Sequence, residues 1–400
     1  MELDRLAALR TPEGVRALDA AAELAGGDPL TAAAGLRAQG VPADLAAAAL
    51  TQAELRRRAV GKFGPDATRM LFTRTGLEQA TRRVVADRRA ARLWRAGVRT
   101  LADLGCGLGA DAIAAARAGI RVYAVEADPV TAAMAAVNAE AAGVSDRLTV
   151  ECGDATRYDV SGVDAAFCDP ARRRAGTGRR VFDPAAFSPS WNFVTALAQR
   201  VPRTVVKVAP GLDHALIPPG AEAEWVSVAG DLVEATLWCG PLADAPRRAT
   251  VLASDEAAED VAGLTGTGSA RAPVGRVGRF LFDPDPAVVR AHLVAEFGST
   301  VDGMLADPSI AYVYADRAVP TPLARCLAVT DAMPFSLKRL RAALRERNVG
   351  RLEILKRGSA VDVERLRRDL RLSGNGSATI VLTRVAGAPT VLIGHPAVRC

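Results

Sequence analysis

The pattern of apolar and polar residues changes near residue 98 and divides the chain into a helical part and a mixed part. Before Val98, Leu and Ala recur at helical spacing among Arg residues, and turns at 26–29 and 40–42 interrupt them. From Val98 onward, short apolar runs alternate with stretches of helical periodicity. This alternation predicts a parallel sheet joined by right-handed crossovers. We therefore expect helices over 1–97, followed by an α/β fold.

The strand candidates of the mixed part are short and mostly apolar. Five of them alternate with helical or basic stretches and are expected to run parallel: RTLADLG, RVYAVEAD, RLTVECGD, VDAAFCDP and TVVKVAP. After residue 210, the runs AEWVSVAG, LVEATLWCG and RRATVLAS follow without intervening helices, which predicts antiparallel strands that complete the sheet. Residues 255–278 are rich in Ala, Gly, Thr and Ser, so we expect a linker there.

A second compact unit is predicted after the linker. Asp285 is placed to cap a helix whose first position is Pro286, within a connecting segment of helix and strand over 279–325. From residue 326 the order is strand, helix, strand, helix and two strands, which indicates a small α+β domain. The sequence thus divides into five parts: 1–97, 98–254, 255–278, 279–325 and 326–400.

Composition places the chain among ordinary globular proteins. Of its 400 residues, 50% are hydrophobic and 24% are charged, which supplies enough apolar surface for a sizeable core. No apolar run approaches the roughly 18 residues that a membrane span needs, and the acidic start MELDRL does not resemble a signal peptide. We expect a cytoplasmic protein without membrane contact.

Cysteine and histidine usage bears on the redox compartment and on metal binding. The six cysteines form no C-x-x-C pair and lie mostly in apolar, strand-like contexts, which indicates reduced core thiols in the cytoplasm. The three histidines, at 214, 292 and 395, are too dispersed for a zinc pattern. We therefore expect no metal.

Arginine supplies almost all of the positive charge. The chain carries 51 basic and 45 acidic residues, a net charge of +6, and only four of the basic residues are lysine. Codon bias best explains this preference, but residues 338–371 concentrate twelve cations against five acids, and the segment 171–180 holds five arginines without an acid. Such clusters favour a polyanionic partner. Solvated surface charge is the alternative.

A glycine-rich loop, DLGCGLG at 103–109, stands where the first strand turns into a helix. Glycines there let the backbone approach a ligand, and the helix N-terminus offers free N–H groups. With Ala110 the loop also satisfies the dinucleotide fingerprint. Asp103, two residues before the first glycine, favours an α-amino group instead, and Asp111 would repel a diphosphate.

Carboxylates follow the second and third strand candidates as well. Glu126 ends the second strand, just before Ala127, where its side chain could accept hydrogen bonds from both hydroxyls of a ribose. Asp154, followed by Ala155, comes after the third strand and could take the exocyclic amine of adenine. Together with the glycine loop, these residues predict a site for S-adenosylmethionine.

The loop D-x-G-x-G-x-G, the strand-end Glu126 and the triplet G-D-A at 153–155 resemble the successive motifs of class I S-adenosylmethionine-dependent methyltransferases. The resemblance covers roughly 98–254 and implies an α/β, Rossmann-like methyltransferase core. It implies that the cofactor is bound through Asp103, Gly105, Gly107, Gly109, Asp111, Glu126, Ala127, Asp154 and Ala155. A dehydrogenase stays open as an alternative, because Glu126 would serve a nicotinamide dinucleotide as well. It is the weaker of the two, because the motifs in combination and in this order match the methyltransferases.

The fourth strand candidate ends in Asp169-Pro170-Ala171-Arg172. This resembles the (D/N)-P-P-aromatic loop of amino-methyltransferases that act on nucleobases, and more closely the D-P-P-W of the trimethylguanosine synthase family. The resemblance implies that Asp169 and the adjoining backbone carbonyl bind the target amine. Here Arg172 replaces the stacking aromatic, and Ala171 replaces the second proline. A guanidinium can itself stack on a base, and a simple strand-terminating turn is the alternative without function.

Substrate contacts are expected downstream of this loop. Arg173 and Arg174, beside the methyl-transfer point, are suited to clamp phosphate, and a solvated loop is the alternative. Stacking on a base could fall to Phe182, Phe187 or Trp191.

Upstream, the stretch FTRTGLEQAT at 72–81 resembles one found in a group of bacterial proteins that join this methyltransferase core to a THUMP-like C-terminal domain. The resemblance implies that the stretch lies over the cofactor, with Gln79 or Thr81 near its methionine end. Helix capping by these polar residues is an equal alternative.

The element order of the last seventy-five residues and the K-R-G turn at 356–358 also resemble the THUMP-like domain. True THUMP domains bind RNA, so the resemblance implies RNA as a partner of the basic helices. Arg339, Arg341 and Arg345 are the candidate contacts. Ordinary basic helices that keep a small domain soluble are the alternative.

Together these features predict methyl transfer from S-adenosylmethionine to a nitrogen of an RNA base. Two alternatives stay open: a methyltransferase of small molecules with an incidental basic region, and an RNA-binding protein in which the altered loop no longer catalyses. The sequence leaves the RNA, the methylated atom and the oligomeric state undetermined.

Overall fold

The computed structural model describes residues 2–172, 187–254 and 261–397. Contacts divide the chain into two compact units, the first comprising 1–222, 234–244 and 254–260 and the second comprising 223–233, 245–253 and 261–400. Along the described residues, no helix is both long and apolar enough to cross a membrane.

Helices form the chain up to the first strand, as the apolar spacing predicts. They are α1 (Leu3–Arg10), α2 (Pro12–Leu24), α3 (Pro29–Ala38), α4 (Ala43–Phe63), α5 (Arg74–Gln79) and α6 (Arg83–Arg95). Side-chain caps begin three of them, because Thr11, Asp28 and Thr73 each accept a backbone N–H from the first turn. Helices α1 to α4 bury an Ala- and Leu-rich cluster of their own, which includes Leu9 and Leu36.

Strands and helices then alternate over 100–208. The elements are β1 (Thr100–Leu104), α7 (Ala110–Arg117), β2 (Arg121–Glu126), α8 (Pro129–Ala141), β3 (Leu148–Cys152), β4 (Ala165–Cys168), β5 (Ala171–Arg172), β6 (Phe187–Ser188), α9 (Trp191–Arg200) and β7 (Thr204–Val208). The predicted basic loop falls largely on residues 173–186, which lie outside the described residues.

The sheet of the first unit has the order β3-β2-β1-β4-β7, and its strands run parallel. The order reverses beside β1, since β2 lies on one side of it and β4 on the other. Ligands of open α/β sheets bind at the carboxyl ends of the strands beside such a reversal. The Rossmann-like fold expected from the sequence is therefore confirmed, and its crevice lies after β1 and β4.

The remaining elements are β8 (Glu222–Val228), β9 (Asp231–Trp238), β10 (Arg247–Leu252), β11 (Val261–Gly266), β12 (Phe280–Pro284), α10 (Pro286–Arg290), α11 (Val294–Thr300), β13 (Met304–Leu305), β14 (Val313–Ala315), β15 (Ala324–Pro334), α12 (Leu337–Glu346), β16 (Val349–Lys356), α13 (Val363–Leu370), β17 (Gly376–Val385) and β18 (Ala388–Pro396). In the first unit, residues 235–238 of β9 pair antiparallel with β7, as predicted.

Two features of the second unit differ from the sequence prediction. Strands β8 and β10 run parallel to each other, whereas the sequence predicts antiparallel strands. Part of the predicted linker is β11, which pairs antiparallel with β10 although it contains two glycines. Backbone pairing compensates for the low strand propensity of β11, an effect that composition does not reveal.

A seven-stranded sheet with the order β13-β14-β12-β15-β18-β17-β16 dominates the second unit. Helices α12 and α13 bury Leu340, Leu344, Leu366 and Leu370 against one of its faces, where β17 and β18 contribute Ile380 and Ile393. This amphipathic packing turns the basic residues of both helices outward. The small α+β C-terminal domain is thereby confirmed.

Candidate active site

The glycine loop connects β1 to α7, as the sequence predicts. Gly105, Gly107 and Gly109 all have positive φ, between 56° and 95°, a region that costs other residues strain. The N–H groups of Gly105 and Cys106 donate to the carbonyl of Val125, so the loop is fixed against β2. A Cβ on Gly107 would meet no atom within 4 Å, which leaves open space above the loop for a ligand.

Asp103 is the most unusual group of the site. Its side chain is fully buried in β1, and within the described ranges neither carboxylate oxygen has a hydrogen-bond partner. Burial raises its pKa well above the ordinary value, and the neighbouring carboxylates of Asp111 and Asp169 raise it further. Buried polar groups are almost always satisfied. An orphaned carboxylate beside the glycine loop therefore fits a cationic ligand group.

Glu126 ends β2 with its carboxylate beside the same loop. Its Oε2 accepts the Gly107 N–H at 3.0 Å, and its Oε1 accepts the Asp128 N–H at 3.0 Å. Each oxygen keeps a lone pair for another donor, so the paired hydroxyls of a ribose remain a suitable ligand. Ala127 is exposed next to it.

Asp154 follows β3 in an exposed turn. Its Oδ1 accepts the N–H and the hydroxyl of Thr156, and these bonds lower the pKa of the carboxyl. Asp154 thus caps the short turn that begins at Ala155. The adjacent Gly153 N–H donates to the Glu126 carbonyl, which brings Asp154 to the carboxyl end of β2.

Asp169, just after β4, reaches the glycine loop from the other side. Its carbonyl oxygen is 3.6 Å from the point where a Cβ on Gly105 would lie. Its carboxylate Oδ2 accepts a hydrogen bond of 2.5 Å from Lys207 Nζ on β7. The carboxylate is one-third exposed and therefore accessible from the crevice.

A buried ion network lies behind these residues. Arg89 of α6 forms ion pairs with Asp111 on α7 and with Glu234 on β9. Burial lowers the pKa of Arg89, but the carboxylates of Asp111 and Glu234 outweigh it and raise the pKa overall. The Thr81 hydroxyl donates to Asp111 Oδ2 at 2.6 Å. The network therefore ties α6 and the segment before it to the start of α7.

Several predicted site residues have different surroundings from those expected. The Thr81 hydroxyl donates to Asp111, which also pairs with Arg89, so both residues have partners inside the protein and hold the start of α7. Trp191 is buried, 8% exposed, with its ring centroid 5.9 Å from that of Phe187, so little of the ring is accessible for stacking on a base. Arg341 donates to the carbonyl of Asp369, so this hydrogen bond joins α12 to α13.

The loop that begins with Asp169-Pro170-Ala171-Arg172 is described only in part. Pro170 is buried, and the backbone of 171–172 pairs with that of Phe187–Ser188. Nothing is described of the Arg172 side chain, and Arg173, Arg174 and Phe182 lie outside the described residues.

Three site residues escaped the sequence analysis: Arg89, Lys207 and Glu234. Lys207 and Glu234 each interrupt an otherwise apolar strand candidate, TVVKVAP and LVEATLWCG, which was an available signal. The sequence does not distinguish Arg89, because α6 contains five arginines. Only the fold shows which of those arginines faces β9.

The charges of the crevice match S-adenosylmethionine. Among the described residues, the four carboxylates of Asp103, Asp111, Asp169 and Glu234 lie near two cations, Arg89 and Lys207. S-adenosylmethionine carries an ammonium and a sulfonium against one carboxylate, so its net positive charge complements this surplus. The described residues contain no cluster of side chains that could hold a metal ion.

Six of the twelve cations in 338–371 are exposed and lack a side-chain partner in the part of the chain that the structure describes: Lys338, Arg339, Arg345, Arg351, Arg368 and Arg371. Five of these lie on or next to α12 and α13. The other basic residues there bond to carbonyls or carboxylates, as Arg347 does to Asp331. The number of cations available to a partner is therefore smaller than the twelve that the sequence contains in this segment.

Fold and site together define a class I methyltransferase that uses S-adenosyl-L-methionine. The model of a family described as RNA cap guanine-N2 methyltransferase matches residues 98–192, a THUMP domain-like model matches 324–396, and a domain of unknown function matches 2–59. An uncharacterized S-adenosylmethionine-dependent methyltransferase of Mycobacterium tuberculosis H37Rv is 36% identical over 342 residues, covering 83% of this chain and 90% of that one. The chain belongs to this family of S-adenosylmethionine-dependent methyltransferases with a THUMP-like C-terminal domain.

One solved structure has a similar fold over nearly the full length of the chain. The crystal structure of a protein from Porphyromonas gingivalis W83, assigned as a methyltransferase, superposes with a TM-score of 0.76 and covers 99% of each chain at 19% identity. At that identity the match shows the fold alone.

Proposed function

We propose that the protein methylates an exocyclic amine of an RNA base. The observation that carries this proposal is the position of Asp169, whose carboxylate faces the crevice while its carbonyl lies against Gly105 of the cofactor loop. A carboxylate and a neighbouring carbonyl can accept both N–H groups of an amine and so aim its lone pair.

The residues of the crevice divide the work of binding and transfer. Asp103 would hold the α-ammonium of the cofactor, Glu126 its ribose and Asp154 its adenine amine. When bound, S-adenosylmethionine supplies an electrophilic methyl group: the amine lone pair forms the new N–C bond, the S–C electron pair stays on sulfur, and the amine proton leaves to water. Asp169 orients the amine, and no strong base is needed.

Three observations favour RNA as the substrate class. The methyltransferase core matches a family described by its action on RNA cap guanine-N2, and the C-terminal unit matches a THUMP-like model. The unpaired cations on α12 and α13 would neutralise phosphates. We propose Arg339, Arg345 and Arg368 as the phosphate contacts. Arg341 is left out of this set because it donates to the carbonyl of Asp369 within the same domain. Arg172, Arg173 and Arg174 stay in the proposal on sequence grounds alone.

Nucleoside mass spectrometry of total RNA tests the proposal. We expect one methylated base to disappear from cells that lack the gene and to return with the wild-type gene. Unchanged RNA, together with transfer of a labelled methyl group to a metabolite extract, would establish a small-molecule methyltransferase instead. Cofactor binding without transfer to either pool would establish a non-catalytic protein.

Asp169→Ala tests the assignment of the acceptor site. We expect turnover to fall at least about 100-fold, because an unpositioned acceptor loses the advantage of fixed geometry. Affinity for S-adenosylhomocysteine, measured by calorimetry, should change less than about threefold. Equal loss of turnover and affinity would remove Asp169 from the acceptor site.

A further inference from the structure

Lys207 occupies a position at which two parts of the active site meet. Its ammonium donates to Asp169 Oδ2 at 2.5 Å and to the carbonyl of Gln79, the last residue of α5, at 3.4 Å. The side chain is only 13% exposed. One buried ammonium thus joins the acceptor carboxylate to the segment that follows α5 toward Thr81.

The choice of lysine runs against the composition of the chain. Only four of the 51 basic residues are lysine, so compositional bias would place arginine here. The two side chains differ at a carboxylate: arginine presents a fork that engages both oxygens, whereas lysine is a point donor that engages one. Lysine at 207 therefore leaves Asp169 Oδ1 available, and no hydrogen bond to Oδ1 occurs among the described residues.

The charges around Lys207 explain why it stays protonated. Burial lowers its pKa, but the carboxylates of Asp169, Asp111 and Glu234 outweigh burial and raise the pKa overall. Asp103 on β1 adds negative charge, and Arg89 on α6 is the other cation of the crevice. Asp169 therefore has a permanent cation at one oxygen over the physiological pH range.

We propose that Lys207 is a positioning residue of methyl transfer: it fixes Asp169 through Oδ2 and against the Gln79 carbonyl, so that Oδ1 is held free for the acceptor amine. This inference rests on the proposed function in one respect, the assignment of Asp169 to the acceptor. It adds a residue from β7 to the proposed site. It also assigns a function to the Gln79 carbonyl at the end of α5, which helps to hold the Lys207 ammonium at Asp169.

Lys207→Arg is the sharpest test, because it keeps the positive charge and changes only the shape of the donor. We expect turnover on total RNA from cells lacking the gene to fall at least about 100-fold, since a fork would occupy both oxygens of Asp169. Affinity for S-adenosylhomocysteine should stay within about threefold of wild type. If Lys207→Arg turns over within about threefold of wild type, charge alone suffices and the proposal is overturned.

Lys207→Met provides a second variant and a measurement independent of any acceptor. Without the ammonium, Asp169 Oδ2 has no partner among the described residues, so kcat should fall while affinity for S-adenosylhomocysteine stays within about threefold of wild type. In the free protein, the ¹³C resonance of the labelled aspartate carboxyl that Asp169→Asn removes should move, because the hydrogen bond from an ammonium polarises that carboxyl. An unmoved Asp169 resonance would contradict the role of Lys207.

Lys356→Met is the matched control. Lys356 donates to the carbonyl of Val361 and forms no bond with Asp169 among the described residues, so the substitution removes a lysine without changing the partners of that carboxylate. It should leave cofactor affinity and the Asp169 carboxyl resonance of the free protein unchanged. If wild-type protein labels a metabolite pool but no RNA, the RNA proposal fails, and the Lys207 variants are then compared on that pool. The position of the Asp169 resonance decides on Lys207 in either case.

Discussion

Asp103 shows how far a single residue can determine the ligand. A carboxylate with two unpartnered oxygens in a buried strand is costly in the free protein, because burial without a partner penalises the charged form. The same carboxylate becomes favourable when an ammonium binds it. Pairing of Asp103 with an ammonium would therefore contribute to the binding free energy of the cofactor.

This arrangement makes cofactor affinity depend on pH. Because the pKa of Asp103 is raised in the free protein, the carboxyl is protonated below that raised pKa and must then release its proton to bind an ammonium. Affinity for S-adenosylmethionine should therefore rise with pH up to that pKa and level off above it. Calorimetry in buffers of different ionisation enthalpy would measure the proton released on binding.

Asp103→Asn and Asp154→Asn separate the two carboxylates in this measurement. Asp103→Asn should weaken affinity by about 10- to 100-fold, the cost of a hydrogen bond to a charged group, and should abolish the pH dependence. The hydrogen bonds from Thr156 lower the pKa of Asp154, so this carboxyl is already ionised at the pH where Asp103 titrates. Asp154→Asn should therefore weaken affinity without altering its pH dependence. A pH-dependent affinity that survives in Asp103→Asn would assign the titration to another group.

At the scale of elements, the segment between α4 and α5 is held by two buried amides. Gln52 of α4 forms a reciprocal pair with the backbone of Phe72, at 2.8 and 2.9 Å. Asn138 of α8 accepts the Leu71 N–H and donates to the carbonyls of Leu71 and Leu108. Leu108 belongs to the glycine loop, so these amides fix the N-terminal helices to the cofactor loop.

Gln52→Leu should reveal this function of the N-terminal region. It leaves the buried N–H and C=O of Phe72 without partners, at about 1–3 kcal/mol each, so the free energy of unfolding should fall by about 2–6 kcal/mol in urea titrations. Cofactor affinity should weaken as well, since the segment leads to Thr81. The exposed Gln39→Leu is the control and should be neutral in both measurements. A stable Gln52→Leu protein with normal affinity would contradict the account.

Strand pairing shows where local patterns lose their predictive power. The apolar runs locate every strand of the parallel sheet within one or two residues. Burial on both faces, as in β1, β4 and β7, requires nearly continuous apolar sequence. The same runs do not encode direction or partner. Hence β8 and β10 run parallel where the runs predict antiparallel strands, and β11 lies within the predicted linker.

At the scale of the whole molecule, charge is the property that the fold rearranges most. The net charge of +6 conceals a segment of twelve cations and five acids at 338–371. Within the described residues, half of those cations are engaged in bonds inside the second unit and half have no side-chain partner. Arginine content alone therefore overstates the surface available to a polyanion.

Replacing Arg339, Arg345 and Arg368 together by glutamine tests this surface. The salt dependence of RNA binding should become shallower by about 0.7 in slope for each phosphate that is no longer neutralised, about 2 in total. Arg5, Arg16 and Arg37 are exposed on the N-terminal helices and give a control with the same change of charge. Filter binding over a range of salt concentrations measures both. An equal change in both triple variants would show a general effect of charge rather than this surface.

The sequence by itself determined the methyltransferase fold, the glycine loop, Asp103, Glu126 and Asp169, because each lies at a fixed offset from a strand end. Such offsets are local, and a parallel sheet brings the carboxyl ends of its strands together. The tertiary structure decided what distant elements contribute: Lys207 at Asp169, and Arg89 between Asp111 and Glu234. These contacts join residues 22 to 145 positions apart, and chain packing rather than local pattern selects which charged side chains meet.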